Sequence, residues 1–349
     1  MLNEILIKAA EERASDIHLA TNQIPFLRVD GDIISLKNYK ATTSQEIASM
    51  LSGVMSDLSK QHFEKDLQAD FAFTGPNNIR YRTNVYRTIN GLSVAFREIN
   101  NSIVSLEELM APEIFKQFAA LPKGLVIISG PTGSGKSTTL AAVIDYINTN
   151  FQKHIITIED PIEFTHQTKK SLVNQREIGR HTRSFSSALK GALREDPDII
   201  VIGEMRDPET IKMALTAAET GHLVFGTLHT LTAAKTIDRI IDACDIGEKE
   251  MVRSMLSTSI QAIILQTLLK KKEGKGRIAA YEILIANKSV KNMIREDKIP
   301  QIESMMQMGS KYGMITMADY VQQLVNTNHI EAAEANRILK TLDEEKSNS

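Results

Sequence analysis

Gly130-Pro131-Thr132-Gly133-Ser134-Gly135-Lys136-Ser137 fits the pattern GxxxxGK[ST], and these residue types suit one task, the wrapping of phosphate groups. Glycines let successive backbone N–H groups turn toward an anion, and the helix that follows adds the positive end of its dipole. Lys136 would neutralise the β- and γ-phosphates of a nucleoside triphosphate, and the Ser137 hydroxyl offers Mg²⁺ the oxygen ligand it prefers. Context argues against a chance match. LVIIS (125–129) reads as a buried strand directly before the loop, and Leu140, Val143, Ile144 and Ile147 give the next helix one apolar stripe.

A nucleotide site also needs carboxylates at the ends of neighbouring strands. DIIVIGE (198–204) supplies Glu204, placed to hold a metal's water shell or, in the plainer reading, to cap the next loop. Gly203 stands where many phosphate-loop enzymes carry Asp, so a metal contact from this strand falls to Glu204. HIITI (154–158) runs into Glu159-Asp160-Pro161-Ile162-Glu163. A carboxylate beyond a proline-fixed turn can orient or deprotonate an attacking water, and a solvated acidic turn is the alternative. His222 and His229 bracket the strand LVFGTL (223–228) and tend to face opposite ways, which argues against a shared metal. His229, at the C-terminal end, is placed either to hydrogen-bond a γ-phosphate or to act as a structural histidine.

The elements that must position these groups follow from the patterning. Residues 2–14, strand-like pieces near 17–20, 25–34 and 79–99, and a helical stretch at 44–66 describe a small α+β domain over 1–99. Asp-Gly at 30–31 and Asn-Gly at 90–91 mark hairpin turns. A linker is expected over 100–112, where apolar periodicity lapses at Asn100-Asn101-Ser102. From 113 to 285 buried apolar runs alternate with helical patterns (136–148, 184–194, 207–220 and 232–242), the pattern of an α/β fold with a parallel sheet. Residues 286–349 read as C-terminal helices at 289–296, 299–307, 316–327 and 330–343, with a frayed polar tail, EEKSNS.

Bulk properties close several alternatives. The 349 residues are 42% hydrophobic, enough for two or three domains, and their formal charge of −2 provides no global field for nucleic acid. Cys244 is the only cysteine, which excludes an intramolecular disulfide and a multi-cysteine zinc site. Acidic residues interrupt the N-terminus and no apolar run reaches the roughly 20 residues of a membrane span, so neither secretion by a leader nor membrane insertion is expected.

GPTGSGKST (130–138), ITIEDPIEF (156–164), ALREDPDIIVIGEMRD (192–207) and TAAETGHLVFGTLHT (216–230) resemble the Walker A, Asp-box, Walker B and His-box motifs of the type II/IV secretion ATPases. The likeness to the pilus-retraction branch extends over essentially the whole chain, including KNMIREDKIPQ (291–301). It implies a RecA-like core that binds ATP and Mg²⁺ through residues 130–138, including Thr138, and an N-terminal PAS-like domain. It also implies a homohexamer in which each PAS-like domain closes on a neighbour's core. On this resemblance Glu163 is the catalytic base, Glu204 the metal-shell residue with Ser137, and His229 a coupling residue. Arg82 and Arg97 are the pair that reaches the phosphates, although from the pattern alone they are equally strand-surface charges. Arg194 and Arg206, flanking the Glu204 strand, are weaker candidates for the same electrostatics or for subunit contacts.

The implied setting is the cytoplasmic face of the inner membrane, acting on a pilus platform protein and, through it, on pilin. Assembly and secretion relatives carry a tetracysteine metal motif and extra N-terminal domains, so the single cysteine favours retraction. Departures lie at Asp242-Ala243-Cys244-Asp245, where related sequences run into Phe-Pro, and in the last 25 or so residues. A nucleic-acid translocase is the reading from another class, motivated by KKKEGKGR (270–277); without interleaved aromatics that run reads better as a solvated hairpin. If Lys136 neutralises phosphate, Lys136→Ala weakens nucleotide binding by roughly ten- to a hundredfold, measured by nucleotide titration.

Overall fold

The computed structural model describes residues 1–29, 31–99, 102–274 and 276–347, so Asp30, Asn100 and Asn101, which mark the expected turn and linker, lie outside the described residues. Two compact units divide the chain. The first comprises Met1–Ser102 with Asp160–Thr165 and Glu177–Arg183, and the second comprises Ile103–Glu159, His166–Arg176 and Ser184–Ser349.

The first unit opens with α1 (Leu2–Glu11), whose Leu2, Ile5, Leu6 and Ala9 recur at helical spacing and are all buried. There follow β1 (Asp16–Ala20), β2 (Phe26–Val29), β3 (Asp32–Ser35), α2 (Ser44–Ser52), α3 (Asp57–Asp66), β4 (Gln68–Thr74), β5 (Arg80–Thr88) and β6 (Gly91–Ile99). The strands form one antiparallel sheet in the order β3-β2-β1-β6-β5-β4. Period-two alternation sends Tyr81, Thr83 and Val85 of β5 inward with Val94 and Phe96 of β6, where they meet Ile5, Leu6 and Ile47 from the helices. Arg80 and Arg82 therefore share the opposite face.

The single helical stretch expected over 44–66 is two helices. Thr43 forms a capping box with Glu46 at the head of α2, and the Ser56 hydroxyl accepts from the Ser59 N–H to start α3. Strand β4 escaped the sequence reading because Gln68–Thr74 has only a short alternating pattern.

The second unit contains α4 (Ile114–Ala119), β7 (Gly124–Ser129), α5 (Lys136–Asn150), β8 (His154–Glu159), β9 (Leu172–Glu177), α6 (Phe185–Ala192), β10 (Ile199–Ile202), α7 (Pro208–Glu219), β11 (Leu223–Thr227) and α8 (Ala233–Asp242). It continues with α9 (Lys249–Ser259), β12 (Ile260–Lys270), β13 (Arg277–Ile285), α10 (Lys288–Arg295), α11 (Ile302–Met308), α12 (Met317–Asn326) and α13 (Ala332–Ser347). Seven strands run in the order β13-β12-β7-β11-β10-β8-β9. Strands β12, β7, β11, β10 and β8 are mutually parallel, and β13 folds back antiparallel on β12.

Every residue of β7, β10 and β11 is buried, as expected of central parallel strands covered on both faces. The α/β reading is thus present in the structure. The hairpin β12–β13 adds to it, with the basic run at its turn. Lys272 there contacts Asn328 at 2.6 Å and Glu331 at 3.2 Å, so at least part of that positive charge is answered within the unit.

The C-terminal helices bury Val290, Ile294, Ile302, Met306, Val321 and Leu324. Of the tail expected to fray, the described residues through Ser347 are helical, in keeping with a stretch free of Gly and Pro, and Asn348 and Ser349 lie outside the described residues. Cys244 is buried, and burial pushes its thiol pKa up.

His166 of this unit is 8% exposed, its Nδ1 has no hydrogen-bond partner, and burial pushes the imidazole down to about 4. The unfolded chain, with an ordinary histidine near about 6.5, binds the extra proton first as pH falls. Stability should accordingly drop between about pH 6.5 and about pH 4, by up to roughly 3 kcal/mol from this group. His166→Phe should flatten that slope in denaturant titrations run across the window.

Candidate nucleotide site

The phosphate-loop residues join β7 to α5 at the centre of the parallel sheet, on the edge where the strands' C-terminal ends open. Gly130, Gly133 and Gly135 adopt φ of 143°, 79° and 87°, a region that L side chains rarely occupy. Space imposes a second demand. A Cβ on Gly130 would lie 2.3 Å from the Gln266 backbone oxygen on β12, and one on Gly135 would lie 2.9 Å from the Gln266 amide nitrogen.

Gln266 is itself a residue that the sequence reading passed over. Its side-chain amide donates to the Ser134 carbonyl at 2.8 Å, deep in the fold, while its Oε1 and the Ser134 hydroxyl are buried without hydrogen-bond partners. The available signal was an amide directly after the apolar run Ala262–Leu265 of β12, since a buried polar side chain is costly unless it bonds to something.

Four charged or ionisable side chains converge along this edge. Lys136, 8% exposed, donates to the carbonyls of Gly130 at 2.7 Å and Pro131 at 3.0 Å, and its Nζ lies 3.4 Å from His229 Nδ1. His229 Nε2 lies 3.8 Å from Glu204 Oε2, which Arg206 Nε meets at 2.8 Å. Burial, then the Lys136 and Arg206 charges, hold the His229 pKa below the usual histidine range. A neutral imidazole between an ammonium and a carboxylate can accept on one nitrogen and donate from the other.

This convergence follows from strand order. β7, β11 and β10 are neighbours in register, so the residues that follow them end side by side. The His229 segment is tied down further: the Thr230 N–H donates to the Ser129 hydroxyl at 2.9 Å, and the Thr230 and Thr236 hydroxyls meet at 2.6 Å. The glycine at 203 also has a local cause, because a Cβ there would sit 3.2 Å from Glu159 Cα and from the Ile158 oxygen. Ser137 is exposed at the head of α5 and Glu204 is partly buried; among the described residues no cluster of three or more His, Cys, Asp or Glu could hold a metal. His222 lies apart, its Nδ1 3.0 Å from the Ala217 carbonyl.

The other sequence-predicted residues belong to the first unit. Arg82 and Arg97 are directly opposed across β5 and β6, so their side chains leave the same face as neighbours, and both are exposed. Like charges in that position repel. Asp16, opposite Arg97 on β1, offsets part of this with an ion pair at 2.7 Å and has its pKa held below the usual carboxylate range. Glu163 is half-buried in the segment 160–165, which clusters with this unit although the strand before it belongs to the other.

Comparison with known proteins gives a consistent picture. The family model described as "Type II/IV secretion system protein" matches residues 1–337. A "Twitching motility protein" of Neisseria gonorrhoeae is 55% identical over 313 residues, covering 90% of this chain and 83% of its own. The "Type IV pilus retractation ATPase PilT" of Pseudomonas aeruginosa is 51% identical over 324 residues, covering 93% and 94%. A solved structure, "Crystal Structure of the Pilus Retraction Motor PilT and Bound ADP", superposes with a TM-score of 0.87 at 45% identity over 96% of this chain and 95% of that one.

If Gln266 braces the phosphate loop through Ser134, Gln266→Leu loosens the loop while keeping the buried volume. Nucleotide affinity should fall by about fivefold to about a hundredfold with an unchanged far-ultraviolet spectrum, read by calorimetric titration.

Proposed function

We propose that this chain, which belongs to the type II/IV secretion system protein family, is a motor ATPase that hydrolyses Mg·ATP to power retraction of a type IV pilus. The observation that carries the chemistry is the run of Lys136, His229 and Glu204 along one sheet edge beside a glycine-built phosphate loop. The relatives named for twitching motility and pilus retraction, at 55% and 51% identity, support the biological role.

In this reading residues 130–138 wrap the triphosphate, with the Lys136 ammonium turned from the loop carbonyls toward the β- and γ-phosphates. The donors present suit Mg²⁺ that arrives with the nucleotide: an exposed hydroxyl on Ser137 and a carboxylate on Glu204 are hard oxygen ligands, too few for a site made of protein alone. Mg²⁺, when bound, neutralises charge on the phosphoryl oxygens. Glu163 takes the proton of the attacking water. His229, linked on one side to Lys136 and on the other toward Glu204, senses the γ-phosphate and passes its loss to the next element. Arg82 and Arg97 supply positive charge to the transition state, which relieves their mutual repulsion at the moment it counts.

The working parts are an N-terminal body (1–99), a connection (100–112), the ATPase core (113–285) and a C-terminal helical segment (286–349). The assembly is a homohexamer at the cytoplasmic face of the inner membrane that acts on a pilus platform protein and so withdraws pilin. Among the described residues no helix is long and apolar enough to cross a membrane.

Glu163→Gln should leave ATP binding largely intact and abolish turnover, whereas Arg82→Ala and Arg97→Ala should lose ATPase activity with an intact fold. Wild-type turnover in any of them removes the role assigned to that residue. In cells, deletion should leave pili present but unable to retract; lost piliation with normal retraction would falsify the retraction role.

A further inference from the structure

Arg80 and Glu177 form a buried ion pair of the first unit, with side chains 10% and 5% exposed and 2.9 Å apart. Both also grip one residue of the acidic turn. The second guanidinium nitrogen of Arg80 donates to the Ile162 carbonyl, and the Ile162 N–H donates to the same Glu177 oxygen at 3.1 Å. The backbone of the residue immediately before Glu163 is therefore held on both its donor and its acceptor side. Glu177 is steadied in turn, since its own N–H donates to His181 Nδ1 at 3.0 Å and its carbonyl accepts from the His181 N–H at 2.8 Å.

Strand geometry gives this pair its place. Arg80 and Arg82 stand two residues apart on β5 and so leave the same face of the sheet, the face that also carries Arg97. One strand thus holds the turn with Arg80 and presents a phosphate-seeking charge with Arg82.

We propose that Arg80 and Glu177 are positioning residues that mount Glu163 on the arginine-bearing sheet, so that the base and the Arg82–Arg97 pair form one preassembled half of the catalytic site. This rests on the reading of Glu163 as the base. Arg80 and Glu177 are assigned no chemical step; they act by fixing the backbone from which the Glu163 carboxylate projects. A base displaced by about 1 Å can lose on the order of a hundredfold in rate while nucleotide binding, which belongs to the phosphate loop, is spared.

The test uses the full-length protein in four forms: wild type, Arg80→Lys, Glu163→Gln, and the paired apolar replacement of Arg80→Met with Glu177→Leu. The paired replacement fills the space without leaving one buried charge alone, which single removal would do. ATP turnover, ATP affinity and backbone hydrogen exchange over residues 160–165 are measured on each. The expected result for the paired variant is a fall in kcat of about tenfold to about a hundredfold, ATP affinity within about threefold of wild type, and lost protection at Ile162 with β5 and β6 still protected. Arg80→Lys, which keeps the charge but loses the forked grip, should fall between the two.

Wild-type kcat in the paired variant overturns the proposal, and so does a lowered kcat with Ile162 protection unchanged. Wild-type turnover in Glu163→Gln instead removes the base assignment, and the exchange measurement then decides alone whether the pair holds the turn.

Discussion

The close approach of the glycine loop 130–135 to β12 is the constraint on which the candidate nucleotide site rests. With the Gln266 carbonyl only 2.3 Å from where a Gly130 side chain would begin, only a residue without a side chain fits there. The carbonyl that imposes this sits on β12, which is paired in parallel with β7 and backed by β13. β13 is anchored from the C-terminal side, where Ile283 pairs with Ile315 and the Glu282 carboxylate accepts from the backbone of Ala233 and Met317. A site formed by residues near 130 thus inherits its shape from residues near 266, 282 and 315.

Much of this edge was legible in the sequence. The β7–loop–α5 unit declares itself because a continuous apolar run, glycines and a one-sided helix are all local patterns. Glu204 and His229 were legible for a related reason: in a parallel sheet the residues that follow successive strands collect at one edge, so strand ends can be read without knowing which strands are neighbours. The paired placement of Arg82 and Arg97 needed the register of β5 against β6, which the 14 intervening residues do not encode as a pattern.

What stayed hidden depends on partners far away in the chain. Gln266 reads as a flaw in an apolar strand until its bond to Ser134, 132 residues earlier, is seen. Arg80 looks like one more strand-surface charge until Glu177, 97 residues later, covers it. The same holds for the grouping of 160–165 and 177–183 with the N-terminal unit, since contacts rather than sequence neighbours define a compact body. The split of 44–66 into α2 and α3 is a different kind of miss. Ser56 signals a new cap locally, but a run of tolerable helix formers masks it.

Cys244, 5% exposed with its thiol held in the protonated form, has a practical bearing on any study of movement in this protein. The thiolate is the species that reacts with maleimides and disulfide spin labels, so the native sulfur competes weakly for such reagents. One cysteine introduced on the surface of each unit could carry a fluorophore or a nitroxide with little background. Distances between the two bodies during turnover then become accessible by spectroscopy without stripping the chain of its own thiol.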